Sequence, residues 1–120
     1  MKTRKELREE YKQRKYRMGV FQIRNKVNGK IFVGSSIDLQ AIWHSQKLQL
    51  DMGIHSNYDL QKDWNEYGAD NFVYEILDEI KQKDDKPLDN AKDVKALEEM
   101  IINDLQPFDD KGYNRRPKEK

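Results

Sequence analysis

The sequence predicts a single α+β domain in which a small, mainly antiparallel, three-stranded sheet is flanked by helices. Two short apolar runs flank Asn28-Gly29, a pair that favours a tight hairpin turn. A third run, 71–80, is rich in β-branched and aromatic residues and follows two helical segments. A chain of 120 residues is long enough for one compact domain and too short for two. The expected order of elements is α-β-β-α-α-β-α.

The first part of the chain predicts one helix and a hairpin. Residues 3–16 are rich in helix formers and predict a weakly amphipathic helix. Strands are expected at about 19–25 and 30–34. Asn28 and Gly29 are expected to supply the positive φ angles of the turn between these strands.

Two helices and the third strand are predicted next. The first of these helices is expected to begin after Ser36 or Asp38 as its N-cap and to end at Gly53. The second helix fits "NYDLQKDWNEYG", residues 57–68, and "NFVYEILDEI", residues 71–80, then reads as a strand.

The final predicted element is a helix that follows a charged loop. The loop is "QKDDKPLDNAK", residues 82–92, and it contains Pro87. The helix is "DVKALEEMIINDL", residues 93–105, and Pro107 stops it. Its apolar stripe consists of Val94, Leu97, Ile101 and Leu105.

Composition excludes several classes of protein. The chain has no cysteine, so it has no disulfide framework, thiolate nucleophile or cysteine metal site. Apolar runs are too short to span a bilayer. The N-terminus lacks the apolar core of a signal peptide, so a cytoplasmic protein without membrane contact is expected.

The net charge of +1 conceals a segregated pattern. Residues 1–17 carry a net charge of +5 and residues 111–120 carry +4, whereas residues 78–110 carry −6. Basic ends are typical of contacts with a nucleic-acid backbone, and equally of solvated helices and tails. The acidic stretch leaves a protein partner open as a third interpretation.

Five ordered segments carry a resemblance to a known family. They are the hairpin with "GVF" (19–21) and "FVG" (32–34), then "GSSIDLQAIWHSQ", "GIHSNYDLQKDWNEYGADNFVYEIL", "LEEMIINDL" and "GYN". Their order and spacing resemble the GIY-YIG nuclease domain. The resemblance covers residues 18–114 and divides the chain into a basic N-terminal helix (1–17), a GIY-YIG-like domain (18–114) and a basic tail (115–120).

The resemblance implies a DNA endonuclease that hydrolyses phosphodiester bonds with Mg²⁺ or Mn²⁺. It implies that Glu98 holds the metal and acts in catalysis, and that His55 is a second catalytic group. The substrate-binding positions that it implies are Ser35, Ser36 and Asn114. Taken alone, Glu98 reads as a surface carboxylate, His55 as a loop or capping residue and Asn114 as a turn residue.

The departures from the family pattern concern the catalytic groups. Both strand tyrosines are replaced, by Phe21 and Phe32, so neither ring has a hydroxyl. Ile42 stands at the family arginine, and Gln46 stands where active members often carry histidine. Cations that remain as candidates to replace the arginine are Arg24 on the first strand, which we include among the substrate-binding residues, and Lys47 and Lys62 on the helices.

These departures predict weak or lost cleavage on a nuclease scaffold. The alternative is a non-catalytic module of the same fold that binds nucleic acid, either DNA or RNA, or a protein partner. The sequence leaves open the preferred substrate and the oligomeric state.

Overall fold

The computed structural model describes residues 3–6, 17–81 and 87–116. Its strands are β1 (Met18–Asn25), β2 (Ile31–Ser36) and β3 (Phe72–Ile80), and its helices are α1 (Leu39–Met52), α2 (Tyr58–Tyr67) and α3 (Pro87–Leu105). One turn of 3₁₀ helix, Ala69–Asn71, precedes β3. The sheet has the order β2-β1-β3, and both strand pairs are antiparallel. The predicted α+β class is confirmed.

The hairpin between β1 and β2 differs from the predicted one in the conformation of its turn. The backbone N–H of Asn25 donates to the carbonyl of Lys30, and that of Gly29 donates to the carbonyl of Asn25. Four residues, 26–29, therefore lie between Asn25 and its bonded partner Lys30. Of the Asn28-Gly29 pair, Gly29 alone has a positive φ, 77°. Asn28 contributes differently, because its side-chain oxygen accepts from the backbone N–H of Lys30 and stabilises the turn.

The ends of α1 and α2 follow their capping residues. Asp38 is the N-cap of α1, and its carboxylate accepts from the backbone N–H of Ala41 at 3.1 Å. Gly53 ends α1 in the left-handed region, with φ 76°. Asn57 caps α2 by accepting from the backbone N–H of Leu60. The predicted bounds of these two helices are confirmed to within a residue or two.

Helix α3 begins earlier than the sequence predicts. The charged stretch 82–92 is expected to be a loop, but residues 87–92 are already helical. Pro87 is the first helical residue, where its fixed φ favours the helix and its missing N–H costs nothing. The proline therefore starts the helix rather than interrupting it.

The two faces of the sheet hold different helices. Successive side chains alternate across a strand, so Phe21 and Ile23 of β1 share one face, and their partners Gly34 and Phe32 on β2 share it with them. That face packs on α1 and α2 to form the main core cluster: Phe21, Ile23, Leu39, Leu50, Leu60, Trp64, Phe72 and Tyr113. Helix α3 contacts β1 and β2 on the opposite face.

The outer edge of β2 is covered by the segment 111–114, which follows α3. Ile31 donates to the carbonyl of Lys111 and accepts from the backbone N–H of Tyr113, which makes a parallel bridge to Gly112. The buried hydroxyl of Tyr113 donates to Asp63 at 2.7 Å. The segment is thereby fixed both to the sheet edge and to α2.

The two predicted basic ends lie largely outside the described residues. Residues 4–6 are helical and Thr3 accepts from the backbone N–H of Glu6, but residues 7–16 are not described. The tail is described only to residue 116. The boundaries at residues 17 and 114 stay predictions. Within the described ranges, no helix has both the length and the apolar character that crossing a membrane requires.

Candidate active site

The predicted site residues other than Arg24 are arranged around the edge strand β2. Phe32 points to the face covered by α1 and α2, where its ring meets that of His55 edge-on, with centroids 5.7 Å apart. Ser35 points to the other face and meets Glu98 of α3. Asn114 lies between them, at the outer edge of the strand. The side chains at the family positions therefore lie around one strand, on its two faces and at its outer edge.

Glu98 is held in place by a serine and a lysine. Its Oε2 accepts from the Ser35 hydroxyl at 3.0 Å and forms an ion pair with Lys95 Nζ, also at 3.0 Å. The Glu98 side chain is only 14% exposed, whereas that of Lys95 is 73% exposed. One oxygen of this carboxylate thus accepts from both a partly buried hydroxyl and an exposed ammonium.

The protein ligands available at Glu98 fit a divalent ion that keeps most of its water ligands. Within the described ranges, no group of three or more histidine or acidic side chains could enclose a metal. Magnesium often binds through one or two carboxylates and completes its shell with water and substrate phosphate oxygens. A single anchored carboxylate fits such a water-rich ion, and it does not form an all-protein cage.

Asn114 and Ser36 are both engaged with the backbone. The Asn114 side chain accepts from the N–H of Val33 and donates to its carbonyl, each at 2.8 Å, as a neighbouring strand would. The Ser36 hydroxyl accepts from the N–H of Asp38 and donates to its carbonyl. Asn114 extends the β2 edge ladder, and Ser36 shapes the entry to α1.

His55 has a partner at each ring nitrogen. Its Nδ1 accepts from the backbone N–H of Asn57 at 3.0 Å, so the proton is assigned to Nε2, which donates to Oε1 of Gln46. Burial lowers the pKa of His55 below its ordinary value of 6.5. A neutral ring with both nitrogens bonded positions its neighbours and has no free lone pair to accept a proton.

Because His55 is buried, we expect the free energy of unfolding to fall in weak acid. Because its folded pKa lies below the unfolded value of 6.5, its contribution is fully present above that pH and is lost as the pH falls through the folded pKa. We expect urea midpoints of the wild type to fall between pH 7.5 and pH 5, and His55→Gln to show a weaker fall. The exposed His44→Gln is the control and should behave like the wild type. An equal pH dependence in His55→Gln would contradict the assignment.

Phe21 is a core residue. It is 2% exposed, its ring tilts against that of Tyr74 with centroids 5.4 Å apart, and its Cζ lies above Gly34. Tyr74 does not replace the missing hydroxyl, because its own hydroxyl donates to the Leu39 carbonyl at 2.6 Å. Burial also raises the pKa of Tyr74 to about 12, which disfavours a phenolate.

Phe32 and Ile42 are partly exposed apolar residues on the side of the sheet that α1 and α2 cover. Both pack against the main core cluster while remaining partly accessible. The family resemblance implies a hydroxyl and a guanidinium at these two positions. Here both positions present hydrocarbon, so neither Phe32 nor Ile42 supplies a proton donor or a positive charge.

The cations considered as replacements for the arginine lie elsewhere. Arg24 Nε donates to Glu75 on β3 at 2.7 Å, and this bond holds the pKa of Glu75 below its usual range. Arg24 pairs with Ile31, four residues before Ser35, which places it on the order of 13 Å along the strand from the Ser35–Glu98 contact. Lys47 and Lys62 are exposed on α1 and α2.

Two polar contacts of the site are absent from the sequence-based expectations. Lys95 stands three residues before Glu98 on one helix, a spacing at which side chains meet, so this contact could have been found in the sequence. The sequence relates Gln46 only to the histidine that it replaces. Its pairing with His55 joins α1 to the following loop, and no sequence spacing indicates it.

Comparison with known proteins gives a consistent answer. No family model matches the chain. Intron-associated endonuclease 1 of Enterobacteria phage T4 is 37% identical over 67 residues, which is 56% of this chain and 27% of the phage protein. This chain thus matches little more than a quarter of that protein's length.

Two solved structures match this chain over nearly their whole length. The catalytic domain of the homing endonuclease I-TevI superposes with a TM-score of 0.69 and 30% sequence identity, over 83% of this chain and 99% of that domain. A glutamate-to-alanine mutant of the I-TevI catalytic domain gives 0.68 and 30%, over 82% and 92%. With the fold, the strand motifs and this coverage in agreement, the chain belongs to the GIY-YIG endonuclease family.

Proposed function

We propose that this chain is a divalent-metal-dependent DNA endonuclease domain whose cleavage is far slower than that of intact family members. The observation that carries the proposal is the contrast across β2. Glu98 and Ser35 retain an ordered acidic contact on one face, whereas Phe32 and Ile42 on the other face offer no hydroxyl and no cation. The homology to a phage endonuclease supports DNA as the substrate.

Each remaining group has a defined task in this proposal. Glu98 holds the ion, and Ser35 fixes the carboxylate by donating to Oε2. A bound ion would neutralise charge on the scissile phosphate and lower the pKa of a bound water. Asn114 keeps the β2 edge in register, and His55 and Gln46 hold each other on the far face.

The missing cation explains the expected slowness. Charge develops on the phosphoryl oxygens in the transition state, and preorganised cations or donors that meet it typically supply about 10²–10³ in rate. Arg24 is ion-paired with Glu75 and Ile42 is apolar, so neither residue supplies this charge on the Phe32 side. Cleavage would depend mainly on the ion at Glu98.

Nicking of supercoiled plasmid with Mg²⁺ or Mn²⁺ tests the proposal. We expect slow, metal-dependent nicking that is lost in Glu98→Ala, because the proposed ion ligand is removed. Glu99→Ala is the matched control, since Glu99 is an exposed acid one residue further along α3. It should nick at the wild-type rate.

Three outcomes would contradict the proposal. Nicking by Glu98→Ala at the wild-type rate would exclude Glu98 as the ion ligand. Nicking as fast as that of the I-TevI catalytic domain, measured side by side, would exclude impaired chemistry. Binding of a labelled duplex with no cleavage by any variant would favour the alternative of a non-catalytic nucleic-acid-binding module.

A further inference from the structure

Lys95 and the Ser35 hydroxyl both donate to the same oxygen of Glu98. The Nζ of Lys95 lies 3.0 Å from Glu98 Oε2, the same oxygen that accepts from the Ser35 hydroxyl. Lys95 and Glu98 are three residues apart on α3, so the helix itself brings the two side chains together. A carboxylate oxygen with two donors has little capacity left for a third partner.

We infer that Lys95 is an internal competitor for divalent cations at Glu98. The ammonium is bound at Oε2, so an ion that binds this oxygen must displace it. The inference rests on the proposed function only in taking Glu98 as the ion ligand. Lys95 then sets the affinity of that site for the ion.

The charges and the exposure determine the size of this effect. An ammonium and a divalent ion that contact one carboxylate repel each other, and the repulsion is reduced by water and salt at an exposed position. Lys95 is 73% exposed and has a flexible stem, so it can swing away at a modest cost. We expect its removal to tighten divalent binding by roughly three- to tenfold, a competition rather than a block.

A plain surface ion pair makes a different prediction. If Lys95 only contributed a weak contact within α3, its removal would change helix stability slightly and leave ion affinity unchanged. Binding of the ion alone therefore distinguishes the two interpretations, without DNA and without catalysis.

The experiment is a titration of the full chain with Mn²⁺. Binding is measured by calorimetry and, independently, by the electron paramagnetic resonance signal of free Mn²⁺. Lys95→Met, which keeps the apolar stem, is expected to bind Mn²⁺ three- to tenfold more tightly than the wild type. Lys95→Arg keeps the charge and should bind like the wild type. The double variant Lys95→Met with Glu98→Gln should lose the gain.

Lys92→Met is the matched control, because Lys92 is an exposed lysine about one turn earlier on α3 and its removal changes the net charge equally. An affinity of Lys95→Met equal to that of the wild type would overturn the inference, including the case in which neither protein binds detectably. An equal gain in Lys92→Met would overturn it as well, since general electrostatics would then suffice.

The outcomes separate this inference from the proposed function. Tighter Mn²⁺ binding by Lys95→Met, with no plasmid nicking by any variant, would support the competitor and refute the nuclease activity. Glu98-dependent nicking by the wild type, with unchanged Mn²⁺ affinity in Lys95→Met, would do the reverse.

Discussion

Replacing Phe32 with tyrosine and Ile42 with arginine in one protein is expected to raise plasmid nicking roughly a hundredfold or more. The family resemblance implies a hydroxyl and a guanidinium at these positions. Both side chains are partly exposed at the rim of the core, so polar groups placed there can reach water. The long stem of arginine can cover the apolar surface that Ile42 covers now, with its guanidinium in solvent.

Phe21 is left unchanged in this design for a structural reason. It is 2% exposed and its Cζ lies against Gly34, so a hydroxyl added there would need a new partner inside the core. Restoring the two accessible groups tests the missing chemistry without disturbing the packing.

The measurement is the rate of conversion of supercoiled to nicked plasmid with enzyme in excess. Phe32→Tyr with Ile42→Met is the control, because methionine conserves volume and carries no charge. Adding Glu98→Ala to the restored protein should abolish the gain. A restored protein that is folded but no faster than the wild type would show that the lost groups do not limit cleavage.

The second large effect concerns stability: Phe21→Ala is expected to lower the free energy of unfolding by about 3–5 kcal/mol. Phe21 belongs to the main core cluster, and its ring fills the space above Gly34. Neither neighbour can fill the resulting cavity easily, because Gly34 has no side chain and Tyr74 is tied to the Leu39 carbonyl. Domains of this size are stable by only about 5–15 kcal/mol, so the variant should be marginal.

Urea unfolding followed by circular dichroism measures this loss. Phe32→Ala serves as the comparison, since Phe32 is partly exposed and its removal should cost about 1–2 kcal/mol. Equal losses in the two variants, or a loss below about 1 kcal/mol for Phe21→Ala, would contradict the core assignment of Phe21.

Most of the fold could be predicted from local sequence signals. Alternating and helical periodicities placed the strands and helices, and Asp38 and Gly53 marked the bounds of α1 because their chemistry acts within a few residues. The predicted start of α3 was wrong because proline both interrupts helices and favours their first turn, and Pro87 does the latter.

The arrangement of the site could not be predicted in the same way. Residue types and family spacing indicated Glu98 and Asn114, but their surroundings depend on partners distant in sequence. Asn114 pairs with Val33, 81 residues away, and Ser35 meets Glu98 across 63 residues. Strand register and helix docking decide such contacts, and neither leaves a local pattern in the sequence.

The covered edge of β2 has a consequence for solubility. An open strand edge is a template on which a second molecule can add a strand, and this is a common start of aggregation. Residues 111–114 occupy the positions that an invading strand would take, with the Asn114 amide replacing a backbone unit at Val33. A chain shortened to residue 110 would expose this edge. The segment that follows α3 therefore also protects this edge of the sheet against self-association.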